Sequence, residues 1–238
     1  MIGVFMPCAE VLPAAQRCLW PDLKRTADLG FVLYGGTAIA LRLGHRQSVD
    51  FDFFTERPLD RAALSDAFPF LTQSLVLQEQ PNSLSVLVSS GDERREQVKV
   101  SFFGEIGFGR VGEPEFSDDG VLLAASLDDL MATKVKVVLQ RVEAKDYRDV
   151  AAMATAGVSL AKGLSSARQL YGAAFQPSES LKSLVYFEGG DLDTLNDADR
   201  RALVDSVSAV RDLPKVAILS MSLSVDGKPS TVGASILR

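Results

Sequence analysis

Hydrophobic residues recur at every second position in several short segments of this chain, a pattern typical of strands that bury one face. FVLY at 31–34 predicts a buried strand that ends at Gly35-Gly36. VDFDFF at 49–54 predicts the next strand, with Val49, Phe51 and Phe53 on its buried side. Three further strands are predicted at LTQSLVLQ, SLSVLVSS and EQVKVSFF, separated by turns at Pro81-Asn82 and Gly91-Asp92.

Apolar residues spaced three and four apart predict helices on both sides of this strand-rich part. Residues 9–29 predict one amphipathic helix that Pro21 kinks or divides, and residues 38–44 predict a short helix stopped by Gly44. From Ser126 onward the chain is mostly helical. The predicted helices, including one in the strand-rich part, are Pro58 to Phe68, SLDDLMATKVKVVLQR, KDYRDVAAMATAG, a segment from Ser159 and residues 200–211, with a loop at 189–199.

The order of these elements predicts an α+β protein with an α/β lobe over residues 1–122, a helical lobe over 123–220 and a flexible tail over 221–238. A hydrophobic content of 47% in 238 residues is enough for a sizeable core. No apolar run reaches the roughly 18 residues of a membrane span, and the N-terminus lacks a secretory signal. We therefore expect a cytoplasmic protein with no membrane partner, whose two cysteines are reduced thiols.

The net charge of −6 argues against broad, nonspecific nucleic-acid binding, which requires clustered lysine and arginine. A local basic pocket remains compatible with an acidic surface, and such a pocket suits a nucleotide. Two cationic clusters are candidates, namely Arg42, His45 and Arg46, and Lys134, Lys136, Arg141, Lys145 and Arg148.

Asp50 and Asp52 alternate with the phenylalanines of the second predicted strand. Their side chains should therefore point the same way, with Cα atoms about 7 Å apart. Two like charges at this spacing repel unless a cation lies between them, and Mg²⁺ or Mn²⁺ prefers such oxygen ligands. The alternative is an amphipathic strand with one solvated face.

Gly35, Gly36 and Thr37 lie between the two predicted strands, where a helix begins. Glycines permit close approach of a ligand to the backbone, and a helix N-terminus offers free N–H groups that suit a phosphate. Most turns of this kind bind nothing. Here the turn and the acidic pair belong to consecutive strands, so one β–helix–β unit could bring phosphate and cation together.

The segment GGTAIALRLGHRQSVDFDFF resembles the first motif of the polymerase-β-like nucleotidyltransferases, a glycine turn and short helix followed by two alternating aspartates. More narrowly, it resembles the AbiEii/AbiGii toxin family. DDLMATKVKVVLQRVEAKDYRDVAAM and LKSLVYFEGGD are similar to later segments of that family, so the resemblance covers roughly residues 25–192. It implies a nucleotidyltransferase lobe with a mixed sheet and flanking helices, followed by an α-helical lobe.

The resemblance also implies roles for single residues. Lys134 and Asp146 correspond to a helical lysine that contacts the triphosphate and to a later acidic position. A solvated lysine, and a helix cap or ion pair at Asp146 and Asp149, are the alternatives. Lys134 and Arg141, seven residues apart, should share one helix face. The predicted site comprises Asp50, Asp52, Lys134 and Asp146 as catalytic residues, Asp50 and Asp52 as metal ligands, and Gly35, Gly36, Thr37, Arg46, Ser48 and Lys134 as nucleotide-binding residues.

One position departs from the superfamily pattern. A third carboxylate is expected on a later strand, and QVKVSFF places Ser101 there, with Glu105 or Asp146 as candidate substitutes. A neutral hydroxyl serves poorly as a metal ligand or proton acceptor. Two functions therefore remain open. The first is an Mg²⁺-dependent transfer of an NMP from an NTP to an acceptor such as RNA, by a toxin paired with an antitoxin. The second is a nucleotide-binding module whose transfer activity is reduced or lost.

Overall fold

The fold is built on one mixed β-sheet. The computed structural model describes residues 2–89, 96–225 and 227, and the predicted turn at Gly91-Asp92 lies outside them. Within these residues the sheet has eight strands in the order β1-β7-β8-β2-β3-β6-β5-β4. The strands are β1 Val4–Phe5, β2 Val32–Tyr34, β3 Asp50–Phe54, β4 Leu75–Gln80, β5 Ser83–Ser89, β6 Gln97–Phe103, β7 Glu115–Ser117 and β8 Leu123–Ala124.

The centre of the sheet combines parallel and antiparallel pairs. β2 runs antiparallel to β3 and parallel to β8, while β3 runs parallel to β6. β4, β5 and β6 form an antiparallel meander at one edge. All five predicted strands are present; β2, which has only three residues, was predicted from its continuous apolar run and not from alternation. β1, β7 and β8 were not predicted, because segments of two or three residues carry no readable alternation.

The predicted N-terminal helix over 9–29 is divided at Pro21, as expected, but it is also interrupted at Pro13, which was not predicted. That segment divides into a 3-10 turn, a short α-helix and a second 3-10 segment, because prolines interrupt it at Pro13 and Pro21. The helices are α1 Ala14–Leu19, α2 Gly35–Leu43, α3 Arg61–Ala67, α4 Leu127–Val137, α5 Ala144–Thr155, α6 Leu160–Tyr171, α7 Pro177–Val185 and α8 Asp197–Ala209. In the described part of the chain, α2 packs on β2 and β3 and α1 contacts β6, whereas α7 and α8 pack on other helices.

Helix boundaries follow the local signals in the sequence. Gly44 ends α2 in the left-handed conformation with φ of 64°, a region in which a Cβ is unfavourable. The side chains of Ser126 and Ser159 accept hydrogen bonds from backbone N–H groups in the first turns of α4 and α6. α8 begins at Asp197, inside the loop predicted for 189–199, because Asn196 caps it.

The two faces of β3 have different environments. Phe51 and Phe53 are fully buried, and the ring of Phe53 stacks 5.6 Å from that of Phe102 on β6. Burial of these aromatic rings dominates the local packing energy. Val49 was predicted on the same buried side, but it precedes the strand and is 58% exposed, so that prediction is wrong. The opposite face of β3 carries the acidic pair.

The chain after residue 122 contributes to the sheet before it becomes helical. β8 lies just past the predicted boundary and pairs with β2, and α4 begins at Leu127. The division into lobes at residue 122 stays a prediction.

The first residues of the predicted flexible tail are packed. Leu223 is 1% exposed, and its N–H donates to the carboxylate of Glu56 at 3.0 Å. The hydroxyl of Ser222 donates to the same carboxylate at 2.7 Å. These first positions of the segment 221–238 are therefore attached to the body, because an apolar side chain is buried there, and a flexible tail beyond the described residues stays a prediction.

Candidate active site

The two aspartates of β3 face one cavity. Asp50 and Asp52 are half-buried and alternate with fully buried phenylalanines, so their side chains lie on the same face of the strand. Both line a cavity of about 370 Å³, together with Gly36, Lys99 and Lys134. The expected common direction of the two carboxylates is therefore confirmed.

The glycine turn lies directly against this acidic pair. Gly35 has φ of +74°, and a Cβ added to it would lie 2.7 Å from Oδ2 of Asp52. A Cβ on Gly36 would collide with the guanidinium of Arg46. Only glycine allows α2 to begin this close to β3 and to the guanidinium of Arg46. The turn thus brings the N-terminus of α2 to the cavity.

Thr37 and Ser48 are linked to each other. The Thr37 hydroxyl is 2.7 Å from that of Ser48 and also bonds to the backbone carbonyl of Asp50. Thr37 is 1% exposed, whereas Ser48, 7% exposed, lines the cavity. The pair attaches the first turn of α2 to the start of β3, so Thr37 makes a structural contact here and does not face the cavity.

Ser101 occupies the position predicted for the third carboxylate. It pairs in register with Asp52 across the parallel β3–β6 ladder, is fully buried, and lies 3.0 Å from the hydroxyl of Ser85. The neighbouring cavity residue on β6 is Lys99, in register with Asp50. The candidate substitute Glu105 is exposed and bonds to Asn82, away from this ladder position. A pair of bonded hydroxyls therefore stands where one third carboxylate was expected.

Burial raises the pKa of Asp52 above its ordinary value, and the adjacent Asp50 carboxylate raises it further. Lys99 and Lys134 lower that pKa, but only in part. The ionised form of Asp52 is thus disfavoured, and a divalent cation between the two carboxylates would favour it. Two carboxylates suit one Mg²⁺ or Mn²⁺ that completes its shell with phosphate oxygens. The described residues contain no group of three or more acidic, histidine or cysteine side chains placed to hold a metal alone.

Lys134 on α4 is held by two buried carboxylates. Its Nζ lies 2.6 Å from Oδ1 of Asp146 and 2.7 Å from Oδ2 of Asp149, and the lysine is 4% exposed. A solvated helix lysine is therefore excluded. Arg141 also donates to Asp146, at 2.7 and 3.1 Å. α4 ends at Val137, so Arg141 lies in the turn after this helix. The prediction that Lys134 and Arg141 share one helix face is therefore wrong.

Asp149 joins the segment that follows α2 to Lys134. It accepts two bonds from Arg46, at 2.7 and 2.9 Å, and lies 2.8 Å from Nε2 of His45. Burial alone would raise the pKa of Asp149, but the charge of Lys134 and the bonds from His45 and Arg46 hold it well below its usual range. Ion pairing thus explains the acidic residues of α5, whose cap residue Glu143 makes no side-chain capping bond.

The same balance applies to Asp146. Burial opposes ionisation, yet the bond from Arg141 and the charge of Lys134 lower the pKa of Asp146 below its ordinary value. Both carboxylates are therefore ionised at neutral pH. The structure brings the predicted residues Gly36, Arg46, Ser48, Asp50, Asp52 and Lys134 to one cavity, with Asp146 behind Lys134.

Several cavity residues were not among the predicted site residues. Gln47, Lys99 and Lys145 line the cavity. Lys145 belongs to the second cationic cluster named from the sequence, whereas no motif in the sequence marks Gln47. Only the pairing of β3 with β6 could have identified Lys99, since it stands opposite Asp50 in that ladder. Together with Arg46 and Arg141, the lysines bring several cationic side chains to the cavity wall, an arrangement that suits a polyanionic ligand.

Comparison with known proteins assigns the chain to a family. Residues 22–219 match the family model described as the nucleotidyl transferase AbiEii toxin of type IV toxin–antitoxin systems. An uncharacterised protein of Aquifex aeolicus (strain VF5) is 32% identical over 173 residues, which are 70% of this chain and 80% of that protein.

Two solved structures share the fold. A candidate nucleotidyltransferase from H. pylori superposes with a TM-score of 0.51 at 15% identity, over 82% of this chain and 92% of that one. MenT4, a nucleotidyltransferase toxin of Mycobacterium tuberculosis H37Rv, gives a TM-score of 0.52 at 13% identity, over 83% of this chain and 91% of that one.

Across the described residues, no helix has the length and apolar character needed to cross a membrane.

Proposed function

The chain belongs to the AbiEii family of nucleotidyltransferase toxins, and from that premise we propose that it transfers an NMP from an NTP to an acceptor in a reaction that requires Mg²⁺. One observation carries the proposal. The carboxylates of Asp50 and Asp52 share a cavity with the start of α2 at Gly36 and with the ammonium of Lys134. Metal ligands, a phosphate-binding turn and a fixed cation are the parts that phosphoryl transfer needs.

The triphosphate is assigned to the first turn of α2 and the cations around it. The N–H groups that begin a helix have no partner within the helix and attract anions. Gly35 and Gly36 would let phosphate approach these groups, and Arg46 and Ser48 would add donors at the cavity wall. Thr37 would act indirectly, by holding the turn against β3 through Ser48.

Asp50 and Asp52 would hold the metal between β3 and the phosphates. A divalent ion there would neutralise phosphate charge and align the triphosphate for attack. Because Ser101 is neutral and buried, the carboxylates suit one such ion completed by the substrate.

Lys134 would stabilise the leaving group. In the proposed reaction an acceptor hydroxyl oxygen bonds to the α-phosphorus, the bond from that phosphorus to the pyrophosphate oxygen breaks, and the hydroxyl proton passes to water. The negative charge that grows on pyrophosphate would be met by the ammonium of Lys134. Asp146 is a positioning residue in this scheme, since it bonds to Nζ of Lys134 at 2.6 Å.

The test is incorporation of label from each of the four α-labelled NTPs into total RNA, with Mg²⁺ or Mn²⁺. We expect one NTP or more to label the RNA, and Asp52→Asn to reduce labelling to background while leaving the fold intact. Asp66→Asn, at an exposed position on α3, is the matched control and should retain full labelling. No label in RNA, in added protein or in the chain itself would refute transfer.

A nucleotide-binding module without transfer is the second candidate, and Ser101 is the observation that favours it. Its bond to Ser85 fills the position of the third carboxylate with neutral groups. The expected signature is Mg²⁺-dependent thermal stabilisation by an NTP without product. At 100 times the dissociation constant, mass action gives about 2.7 kcal/mol, or a rise of about 5–11 °C for a chain of this size.

The family's description as a toxin of toxin–antitoxin systems supports two biological proposals. The first is that the chain acts in the cytoplasm and slows growth when expressed alone. The second is that a cognate antitoxin protein relieves this effect. Growth of cells that express the wild type, with Asp52→Asn as the inactive control, tests the first. Co-expression with a neighbouring gene product tests the second.

A further inference from the structure

A second cavity of about 400 Å³ adjoins the one that holds the acidic pair. Both cavities are lined by Gly36, Asp52, Phe54, Lys134 and Arg141. The residues assigned to the reaction therefore lie on the boundary between two chambers. A ligand that fills the second chamber would extend to the reacting phosphate.

Aromatic rings line the second chamber. The ring of Phe54 stacks 4.9 Å from that of Tyr34, and Phe108 lies 6.3 Å from Phe54 and 5.2 Å from Tyr171. Nζ of Lys136 stands 4.0 Å above the Tyr171 ring. Unlike the fully buried phenylalanines on the other face of β3, Phe54, Phe108 and Tyr171 are only partly buried. A partly exposed aromatic wall inside a cavity offers flat apolar surface to a flat ligand.

Polar groups lie beside this wall. Gln140 and Lys136 also line the chamber, so an amide and an ammonium are available to the edge of a bound ring. Aromatic faces combined with a few hydrogen-bonding groups are how proteins recognise unstacked nucleobases. The volume of about 400 Å³ is within the range of small-ligand sites.

We propose that this aromatic chamber binds a nucleobase, with Phe108 as the main stacking surface and the attached sugar directed toward Asp52 and Lys134. The proposal rests on the proposed nucleotidyl transfer. The base has two sources with the same chemistry, the incoming NTP and the terminal nucleoside of an RNA acceptor.

The experiment compares Phe108→Leu with Phe108→Tyr, which keeps the flat ring. Phe70→Leu is the matched control, because Phe70 is also partly buried but packs on Phe68 at 5.5 Å, outside both chambers. Binding is measured by calorimetry with Mg²⁺ and three probes. The probes are an NTP whose α,β-bridging oxygen is replaced by methylene, inorganic tripolyphosphate, and a single-stranded RNA trinucleotide.

If the chamber takes the base of the NTP, Phe108→Leu should weaken the analogue about tenfold, since loss of one stacked base contact is worth about 1–3 kcal/mol. Tripolyphosphate should bind unchanged, and Phe108→Tyr should retain most of the affinity. If the chamber binds the acceptor, Phe108→Leu should instead weaken binding of the trinucleotide and leave the affinity for the analogue unchanged. Either pattern supports the proposal and identifies the source.

Unchanged affinity of Phe108→Leu for both the analogue and the trinucleotide would overturn the proposal, and so would an equal loss in Phe70→Leu. A wild type that binds tripolyphosphate but binds the analogue no more tightly than tripolyphosphate, and does not bind the trinucleotide, would overturn it as well. If the wild type does not bind tripolyphosphate, that result would instead count against the phosphate site of the proposed function. The two failures are thus distinguishable.

Discussion

Asp149→Asn is the sharpest test of the buried ion network, because the substitution keeps shape and removes one charge. Asp149 is fully buried and holds Lys134, Arg46 and His45 at 2.7–2.9 Å. The asparagine variant leaves Lys134 with Asp146 as its remaining carboxylate. Removing one member of a buried ion pair costs about 3–5 kcal/mol.

The lower end of that range applies here. Arg46 is 17% exposed at its side chain, so water can solvate part of its charge, and Lys134 keeps one ion pair. We expect a loss of about 3 kcal/mol in the free energy of unfolding, which lowers Tm by about 6–12 °C for a domain of this size.

Urea and thermal unfolding of purified protein measure this loss. The matched control is Asp128→Asn, which breaks an ion pair of similar length, 2.6 Å to Lys162, whose two side chains are 28% and 45% exposed. Exposed pairs contribute about 1 kcal/mol or less, so the control should remain close to wild type. Equal destabilisation of the two variants would refute the buried network as a stabilising element.

The pH dependence of the free energy of unfolding provides a second test, made on the wild type and Asp149→Asn. Since the pKa of Asp149 lies below its ordinary value of 3.8 in the folded chain, its ionised form stabilises the fold above that pH, and the contribution is lost as pH falls. The asparagine variant lacks this contribution. The stability difference between wild type and variant should therefore shrink from about pH 4 downward. A constant difference from neutral pH into that range would contradict the argument.

Three further predictions test other contacts. Gly35→Ala forces a Cβ into φ of +74° and to 2.7 Å from Asp52, so we expect a loss of about 1–3 kcal/mol in unfolding experiments and weaker Mg²⁺-dependent nucleotide binding. Ser101→Asp adds a buried carboxylate beside Asp52, which should lower Tm in EDTA and restore it in millimolar Mg²⁺; a Tm insensitive to Mg²⁺ would contradict this. Leu223→Ala should cost about 2–5 kcal/mol because Leu223 is 1% exposed, whereas a value near zero would mean that this segment is detached.

The sequence by itself determined the elements with a repeating pattern or a local stop signal. The alternation of Asp50 and Asp52 with phenylalanine predicted both the strand and the common direction of the carboxylates. Gly44 and Ser126 marked helix ends because a left-handed residue and a side-chain cap act within a few residues of the chain. Such signals need no knowledge of distant contacts.

Tertiary structure decided which side chains meet. Asp149 and Arg46 are 103 residues apart, and their bonds exist only because α5 packs beside α2. The contact between Ser101 and Ser85 likewise depends on strand pairing, as does the position of Lys99 opposite Asp50. The short strand β8 has no pattern of its own and forms because β2 supplies hydrogen bonds. Contacts between distant segments depend on the packing of the whole chain, so no local pattern could have predicted them.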